Sequence, residues 1–250
     1  MSTVTVQLTH DVHWIEECYD IGGRHRHVSV YLIAAEEGNL LIDTGSFYHR
    51  DEITAELREA TGGDGIDAIV LSHSDYPHSA NVGEFNIESG DVELVASSEA
   101  PASQGLPDAT KCEIGGQMDV LGRTLSFIDP PLADRSHTTW IYDHGDRVLF
   151  TADGLGNRHQ PDECRYTSAE FRDGIPADEI YEFHRDELVW LRYVDPEKLR
   201  AALDDIFAAY PIDNVAPIHG NPIDSEDLTT YLERLTDAAE RISGNYEVPE

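Results

Sequence analysis

Along the first third of the chain, apolar and polar positions alternate in short runs. The stretches "TVTVQLT" (3–9), "VHWIE" (12–16), "HVSVYLIA" (27–34) and "NLLIDTG" (39–45) are rich in β-branched residues and are separated by "YDIGGRHR" and "AEEG". This period of two, broken by turn residues, predicts an antiparallel meander. The period then changes. In "RDEITAELREATGG" (50–63), Ile53 and Leu57 recur at helical spacing and Gly62 and Gly63 offer a left-handed stop, so a helix is expected between Asp43 and the next strand, "IDAIVLS" (66–72).

The middle of the chain returns to strands with "DVELVAS" (91–97), "TLSFIDP" (124–130), "TTWIYD" (138–143) and "RVLFTAD" (147–153). From Asp178 the spacing predicts a helix over 178–194 and another over 195–210, the second opened by Pro196 and carrying Leu199, Leu203 and Phe207 on one face. A short strand at 213–218 and a final helix over 225–242 follow, and the polar tail 243–250 is expected to fray. With no repeat of 20–50 residues and no low-complexity linker, the order implies a mixed α/β protein in layers, and 1–250 reads as one domain.

Composition sets the surface. The chain has 250 residues, 40% hydrophobic, with 49 acidic against 17 basic side chains and a formal charge of −32. Apolar content this high in periodic segments implies a folded protein that carries its charge outside, which we read as a salt-adapted acidic surface. Such a field repels nucleic acid and anionic membranes at low salt. The opening "MSTVTVQLTHDVHW" has no basic segment followed by an apolar one, and no apolar run approaches the ~20 residues of a membrane span. The expectation is therefore a cytoplasmic protein with neither nucleic-acid nor membrane partners. Cys18, Cys112 and Cys164 are widely spaced and read as small buried hydrophobes rather than as a disulfide framework.

Four separated segments share one design, an apolar strand that ends in metal-competent residues. His73, Asp75 and His78 follow "IDAIVLS", His137 sits in "DRSHTTWIY", Asp153 follows "RVLFT", and His219 follows "NVAPI". Taken singly, a histidine at a strand end is more often a hydrogen-bonded or solvated residue, and Asp153 before Gly154 could be a turn aspartate. Repetition changes that balance, because strands of one sheet present their like ends along one edge, where distant loops converge on a rigid frame. Imidazole and carboxylate are the donors that hold zinc, iron or manganese. His25 and His27 alternate on one strand face and read mainly as solvated loop residues, with a pocket border as the second choice. Tyr48, Tyr76 and Trp140 could wall a pocket, but aromatics beside strands are more often core. No phosphate-binding loop of the G-x-x-x-x-G-K type and no G-x-S-x-G elbow occurs.

The segments "HSDYPH" (73–78), "SHT" (136–138), "LFTAD" (149–153) and "APIHG" (216–220), with "LLIDTG" upstream, resemble the metallo-β-lactamase superfamily in order and spacing. The resemblance implies a four-layer αββα fold of two packed mixed β-sheets flanked by helices, with Asp43 supporting the metal ligands from behind. Asp75 in place of a second histidine is similar to the diiron domain of flavodiiron and oxygen-binding diiron proteins, as are the opening of the chain and "ELVWLRYVDPEKLRAALDDIF". That branch implies two metal ions, iron ahead of zinc or manganese, acting on dioxygen or a similar small oxidant. His73, Asp75 and His137 would hold one ion, Asp153 would bridge, and His219 with His78 would hold the second.

Two departures follow from the same comparison. Pro77 stands where relatives place a metal-binding aspartate, so His78 is the expected replacement; "SHT" favours His137 as the third-segment ligand, while the flavodiiron spacing points to Asp134. A neutral imidazole adds no negative charge, which makes His137 the preferred reading. No flavodoxin-like domain is recognised in the sequence and no flavin is expected on it, so the implied partners are an electron-donor protein and a second copy of the chain. A metal-dependent hydrolase of thioesters, lactones or phosphoesters using metal-activated water is the alternative, and a degenerate protein binding one metal is the third.

The acidic surface yields the first prediction. Raising KCl from about 0.1 M to about 1 M, where the Debye length shrinks to about 3 Å, should raise the thermal unfolding midpoint; a flat or falling midpoint would reject salt adaptation.

Overall fold

The computed structural model describes residues 5–85, 91–97 and 109–245. Among the described residues, thirteen strands form two sheets. The first sheet runs in sequence order through β1 (Val6–Gln7), β2 (Val12–Ile21), β3 (Arg24–Ala35), β4 (Gly38–Ile42), β5 (Ala68–Leu71), β6 (Glu93–Ser97) and β7 (Thr110–Cys112). Its first four strands are antiparallel and β4 to β7 are parallel. In the second sheet, β8 (Gln117–Val120), β9 (Arg123–Ile128), β10 (Trp140–Asp143) and β11 (Val148–Phe150) are antiparallel neighbours. β12 (Asn214–Ala216) joins β11 in parallel and β13 (Ile223–Asp224) closes the edge.

Alternation along the strands decides which layer each side chain enters. On β5, Ala68 and Val70 face the other sheet, while Ile69 and Leu71 face outward toward α1 (Arg50–Ala60). On β10 and β11, Ile141, Val148 and Phe150 point inward, whereas Trp140, Tyr142 and Leu149 meet the helices on the far side. Those helices are α3 (Ala177–Glu187), α4 (Pro196–Ala209) and α5 (Ser225–Gly244). Tyr231, Leu232, Leu235, Ala238, Ala239 and Ile242 give α5 a buried stripe at helical period. The layers are thus helix, sheet, sheet, helix, as expected.

Local chemistry sets the helix boundaries. Asp195 caps α4 by accepting from the Glu197 and Lys198 amides at 3.0 and 3.3 Å, with Pro196 in the first turn. The helix expected over 178–194 ends instead at Glu187. Leu188, fully buried, leaves the helical region at φ −105°, ψ 68°, and a 3-10 turn over Val189–Tyr193 lets the Trp190 indole donate to the Ala133 carbonyl at 2.9 Å. Tertiary packing overrides the local period there. β7, β8 and β13 have too few residues for a readable pattern, and residues 3, 4 and 246–250 of the expected first strand and tail lie outside the described residues. Among the described residues no helix is long and apolar enough to cross a membrane.

The cysteine expectation needs correcting. Cys112 is free and buried, but Cys18 of β2 and Cys164 are joined as a disulfide across 146 residues, because a long loop after β11 is laid back over β2 and β3. His27 is fully buried rather than solvated.

Phe150 lies between the sheets with its ring 5.2 Å from that of Tyr31. Phe150→Ala should lower unfolding free energy by about 3–5 kcal/mol in urea titration; a loss below about 1 kcal/mol would show that the inter-sheet layer collapses around the cavity.

Candidate metal centre

Every candidate ligand stands on a loop leaving the same edge of the sandwich. Asp43 follows β4, and it takes φ +58°, a left-handed conformation that few residues other than glycine or a short polar one adopt. The strain is held by three hydrogen bonds to its buried carboxylate. The Ser72 amide donates at 2.8 Å, the Ser72 hydroxyl at 2.7 Å, and His78 Nδ1 at 2.8 Å. Asp43 thereby fixes the end of β5 and orients an imidazole, without itself facing the open site.

Pro77 sits in the first turn of the short helix α2 (Tyr76–Ser79), where its missing N–H costs nothing. That turn carries His78 inward. Its carbonyl accepts from the Thr44 amide at 2.7 Å and the Thr44 hydroxyl at 3.0 Å, and Asn81 in turn donates to the Thr44 and Ser46 carbonyls. His78 is buried, with Nε2 at 3.0 Å from Asp153 Oδ1.

Asp153 follows Ala152, another left-handed residue at φ +48°. Its Oδ1 also lies 3.1 Å from His219 Nε2, and its Oδ2 lies 3.7 Å from His73 Nε2. His219 is oriented from the opposite side, donating from Nδ1 to the His27 carbonyl of β3 at 2.6 Å. A Cβ on Gly154 would come within 2.7 Å of the Trp140 ring, and one on Gly220 within 2.8 Å of the Asn157 amide nitrogen. Both loops approach the core this closely only because these positions are glycine.

On the other side of Asp153, ligand atoms of His73, Asp75 and Asp134 lie within 4.8 Å of one another, as do those of His73, His78 and Asp153. Asp134 Oδ2 is 3.7 Å from His73 Nε2, and Asp75 is held at 2.9 Å by Arg135. His137 stands apart, with Nε2 at 3.1 Å from the Ser74 hydroxyl and its ring centre 6.2 Å from that of His73. Of the sequence candidates, His73, Asp75, His78, Asp153 and His219 are therefore brought together. Asp134, the other reading of the third segment, joins them and His137 does not. Trp140 is core, while Tyr48 and Tyr76 are exposed beside a cleft of 520 Å³ that Pro77 also lines.

Electrostatics separate the two histidines of the loop. Burial and the neighbouring His78 push His73 down to about 3, so it is neutral. Burial opposes charge on His78 as well, but the carboxylates of Asp153 and Asp43 outweigh it and raise His78 to about 10. Burial likewise works against ionised Asp153, yet His78 and His219 hold it well below the usual carboxylate range. Burial and Asp153 raise Asp134. A protonated His78 thus supplies positive charge among carboxylates that a metal ion would otherwise neutralise.

The donor set fits a cation. His73 Nε2 is buried with no hydrogen-bond partner, and two carboxylate oxygens face it at 3.7 Å. Metal bonds of about 2.0–2.2 Å put donors of one ion about 3–3.6 Å apart, so a small inward shift would complete the shell. His78 and His219 both turn their second ring nitrogen to a protein acceptor, the usual way of fixing a metal-binding tautomer.

Comparison with known proteins now bears on this geometry. The sequence profile of the metallo-beta-lactamase superfamily matches residues 23–178. The chain belongs to that superfamily. Anaerobic nitric oxide reductase flavorubredoxin of Escherichia coli is 26% identical over 196 residues, a match covering 72% of this chain and 40% of the relative. The chain thus spans less than half of that protein. Among solved structures, the flavodiiron protein of Giardia intestinalis superposes with a TM-score of 0.74 at 15% identity, covering 96% of this chain and 60% of that one. Rubredoxin oxygen:oxidoreductase of Desulfovibrio gigas gives 0.75 at 16%, covering 95% and 62%. The superfamily member described here is therefore homologous to flavodiiron proteins and shares the fold of their diiron domains.

The raised His78 generates a pH prediction for chelator-treated protein. Its folded value of about 10 exceeds the ordinary 6.5, so its stabilisation is full below about pH 6.5 and is lost as pH rises through about 10. Unfolding free energy should fall across that window, and Asp43→Asn should shrink the fall. Equal slopes in the two proteins would reject the assignment.

Proposed function

We propose that the chain is a non-haem diiron protein that binds or reduces a small oxidant, dioxygen or nitric oxide. The observation that carries the proposal is Asp153, whose two oxygens face separate sets of imidazoles. In this reading Asp153 would serve both ions. His73, Asp75 and Asp134 would hold one of them, and His78 and His219 the other. Asp134 takes the place first given to His137, because its carboxylate lies beside His73. Three carboxylates and three imidazoles make a hard, anionic donor set that suits iron or manganese better than zinc.

When bound, such a pair of ions supplies reversible one-electron chemistry and open positions for a diatomic ligand. The protein's own part is to hold the donors. Asp43 accepts a hydrogen bond from His78 Nδ1, so that the proton a metal ion would displace is the one on Nε2, and the His27 carbonyl likewise takes Nδ1 of His219 and turns its Nε2 to the site. Arg135 neutralises part of the charge on Asp75 and so tempers the anionic site. The cleft beside Pro77, walled by Tyr19, Tyr48 and Tyr76, offers a small neutral molecule a way toward the loop of His78. Electrons would come from a donor protein, in line with the names flavorubredoxin and rubredoxin oxygen:oxidoreductase borne by the relatives. His78 within the cluster also supports a metal-dependent hydrolase, since zinc hydrolases of the superfamily place a histidine ligand there.

Protein purified without chelator should contain close to two iron ions per chain and consume dioxygen or nitric oxide when chemically reduced. Asp43→Asn should weaken metal affinity about 10–100-fold, read by competition with a chromogenic chelator. Stoichiometric zinc, inertness toward both gases and turnover of a thioester or phosphoester would overturn the diiron reading in favour of the hydrolase.

A further inference from the structure

A second group of metal donors, sharing no residue with the cluster around Asp153, gathers on β2, β3 and the loop after β11. The antiparallel register sets Cys18 opposite His27 and Asp20 opposite His25, so the side chains of Cys18, His25 and His27 share one face of the β2–β3 ribbon. The loop after β11 crosses that face. It is pinned by a two-way backbone bridge in which the His25 amide donates to the His159 carbonyl at 2.8 Å and the His159 amide returns the bond at 3.1 Å. Cys164 and His159 are thereby delivered to Cys18, His25 and His27. Ligand atoms of Cys18, His25 and Cys164 lie within 4.8 Å of one another, and so do those of Cys18, His27 and His159.

Two of these imidazoles are prepared as ligands. His159 donates from Nδ1 to the Gln160 carbonyl at 2.8 Å, which leaves a lone pair on Nε2, and that atom is buried without a partner. His27 donates from Nε2 to the Cys164 carbonyl at 2.7 Å, which leaves Nδ1 in the same condition. Both residues are fully buried, and their rings stack at 4.1 Å. An unsatisfied buried nitrogen costs about 1–3 kcal/mol, and here two occur side by side next to two sulfurs. Histidine ligands are fixed in this way, with the other ring nitrogen donating to a backbone carbonyl.

We infer that Cys18, Cys164, His25 and an imidazole of the stacked His27–His159 pair form a binding site for a thiophilic divalent cation of the zinc class, exclusive with the Cys18–Cys164 disulfide. Two thiolates and two imidazoles suit a tetrahedral ion. Opening the disulfide takes two electrons and two protons from a dithiol, which is itself oxidised to a disulfide. Cation binding then releases the two thiol protons. Cys18, His25 and Cys164 are partly exposed, so both reductant and cation can reach the sulfurs. The site shares no ligand with the proposed diiron centre, whose donors include no sulfur.

Cobalt(II) tests the inference, because thiolate-to-cobalt charge transfer in the near ultraviolet can arise only at a sulfur ligand. Full-length protein would be stripped of metal, reduced with a phosphine, checked for fold by circular dichroism and titrated with cobalt without air. The expected result is a charge-transfer band in reduced protein, displaced by zinc, absent from oxidised protein, lost in Cys18→Ser and Cys164→Ser and kept in Cys112→Ser. His25→Ala, and at least one of His27→Ala and His159→Ala, should weaken cobalt binding at least about 10-fold. Reduced wild-type protein with reactive thiols but no band overturns the inference whether it is folded or unfolded. So does a band that survives both cysteine substitutions or that depends on Cys112.

Discussion

A single line of hydrogen bonds crosses this sandwich and returns. Asp43, at the end of β4, accepts from His78; His78 meets Asp153 on the second sheet; Asp153 meets His219; and His219 donates to the His27 carbonyl, back on the first sheet. Each charge on the line is buried, so each needs the next one. Removing a member leaves an uncompensated ion in a dry interior, which is far more destabilising than an absent surface pair. The candidate centre and the registry of the two sheets therefore depend on the same contacts.

Backbone strain is placed where this line demands it. Asp43 and Ala152 both adopt left-handed conformations, each at the step where a strand turns into a site loop, and the carboxylate interactions that follow hold them there. Around them the packing is ordinary alternation. The inward residues of β5, β10 and β11 interlock between sheets, and the outward ones meet helices. Rigid strands thus carry the loops that present the donors, the arrangement that preorganises a metal site.

The same loops show how charge is managed. The carboxylates around His73 would repel one another in a dry pocket. Arg135 draws Asp75 outward, Thr138 donates to Asp134 at 2.6 Å, and His78 sits between Asp43 and Asp153. Among the described residues, the donors grouped around Cys18 and Cys164 are sulfur and imidazole. His27 touches both a hard donor set and a soft one, its carbonyl accepting from His219 and its ring lying among the donors grouped with Cys18.

Much of this was readable from the chain alone. Period-two runs gave the central strands, helical spacing gave α1, α4 and α5, and the recurrence of His or Asp just past an apolar strand marked His73, Asp75, His78, Asp153 and His219, because these are local signals written within one element. Other features were not local. Asp134 and His137 are three residues apart on one loop, and which of them faces His73 depends on how the loop leaves β9, a matter of packing that spacing does not encode. Pro77 read as the loss of a ligand, while its place in the first turn of α2 depends on the tertiary anchoring of that loop. The pairing of Cys18 with Cys164, and with it the burial of His27 and His159, joins segments 146 residues apart. Sequence determines which faces are apolar and which residues end each strand, since both follow from the geometry of a single chain segment. Only the tertiary structure decided which of those ends meet, because that is fixed by two sheets burying a shared core.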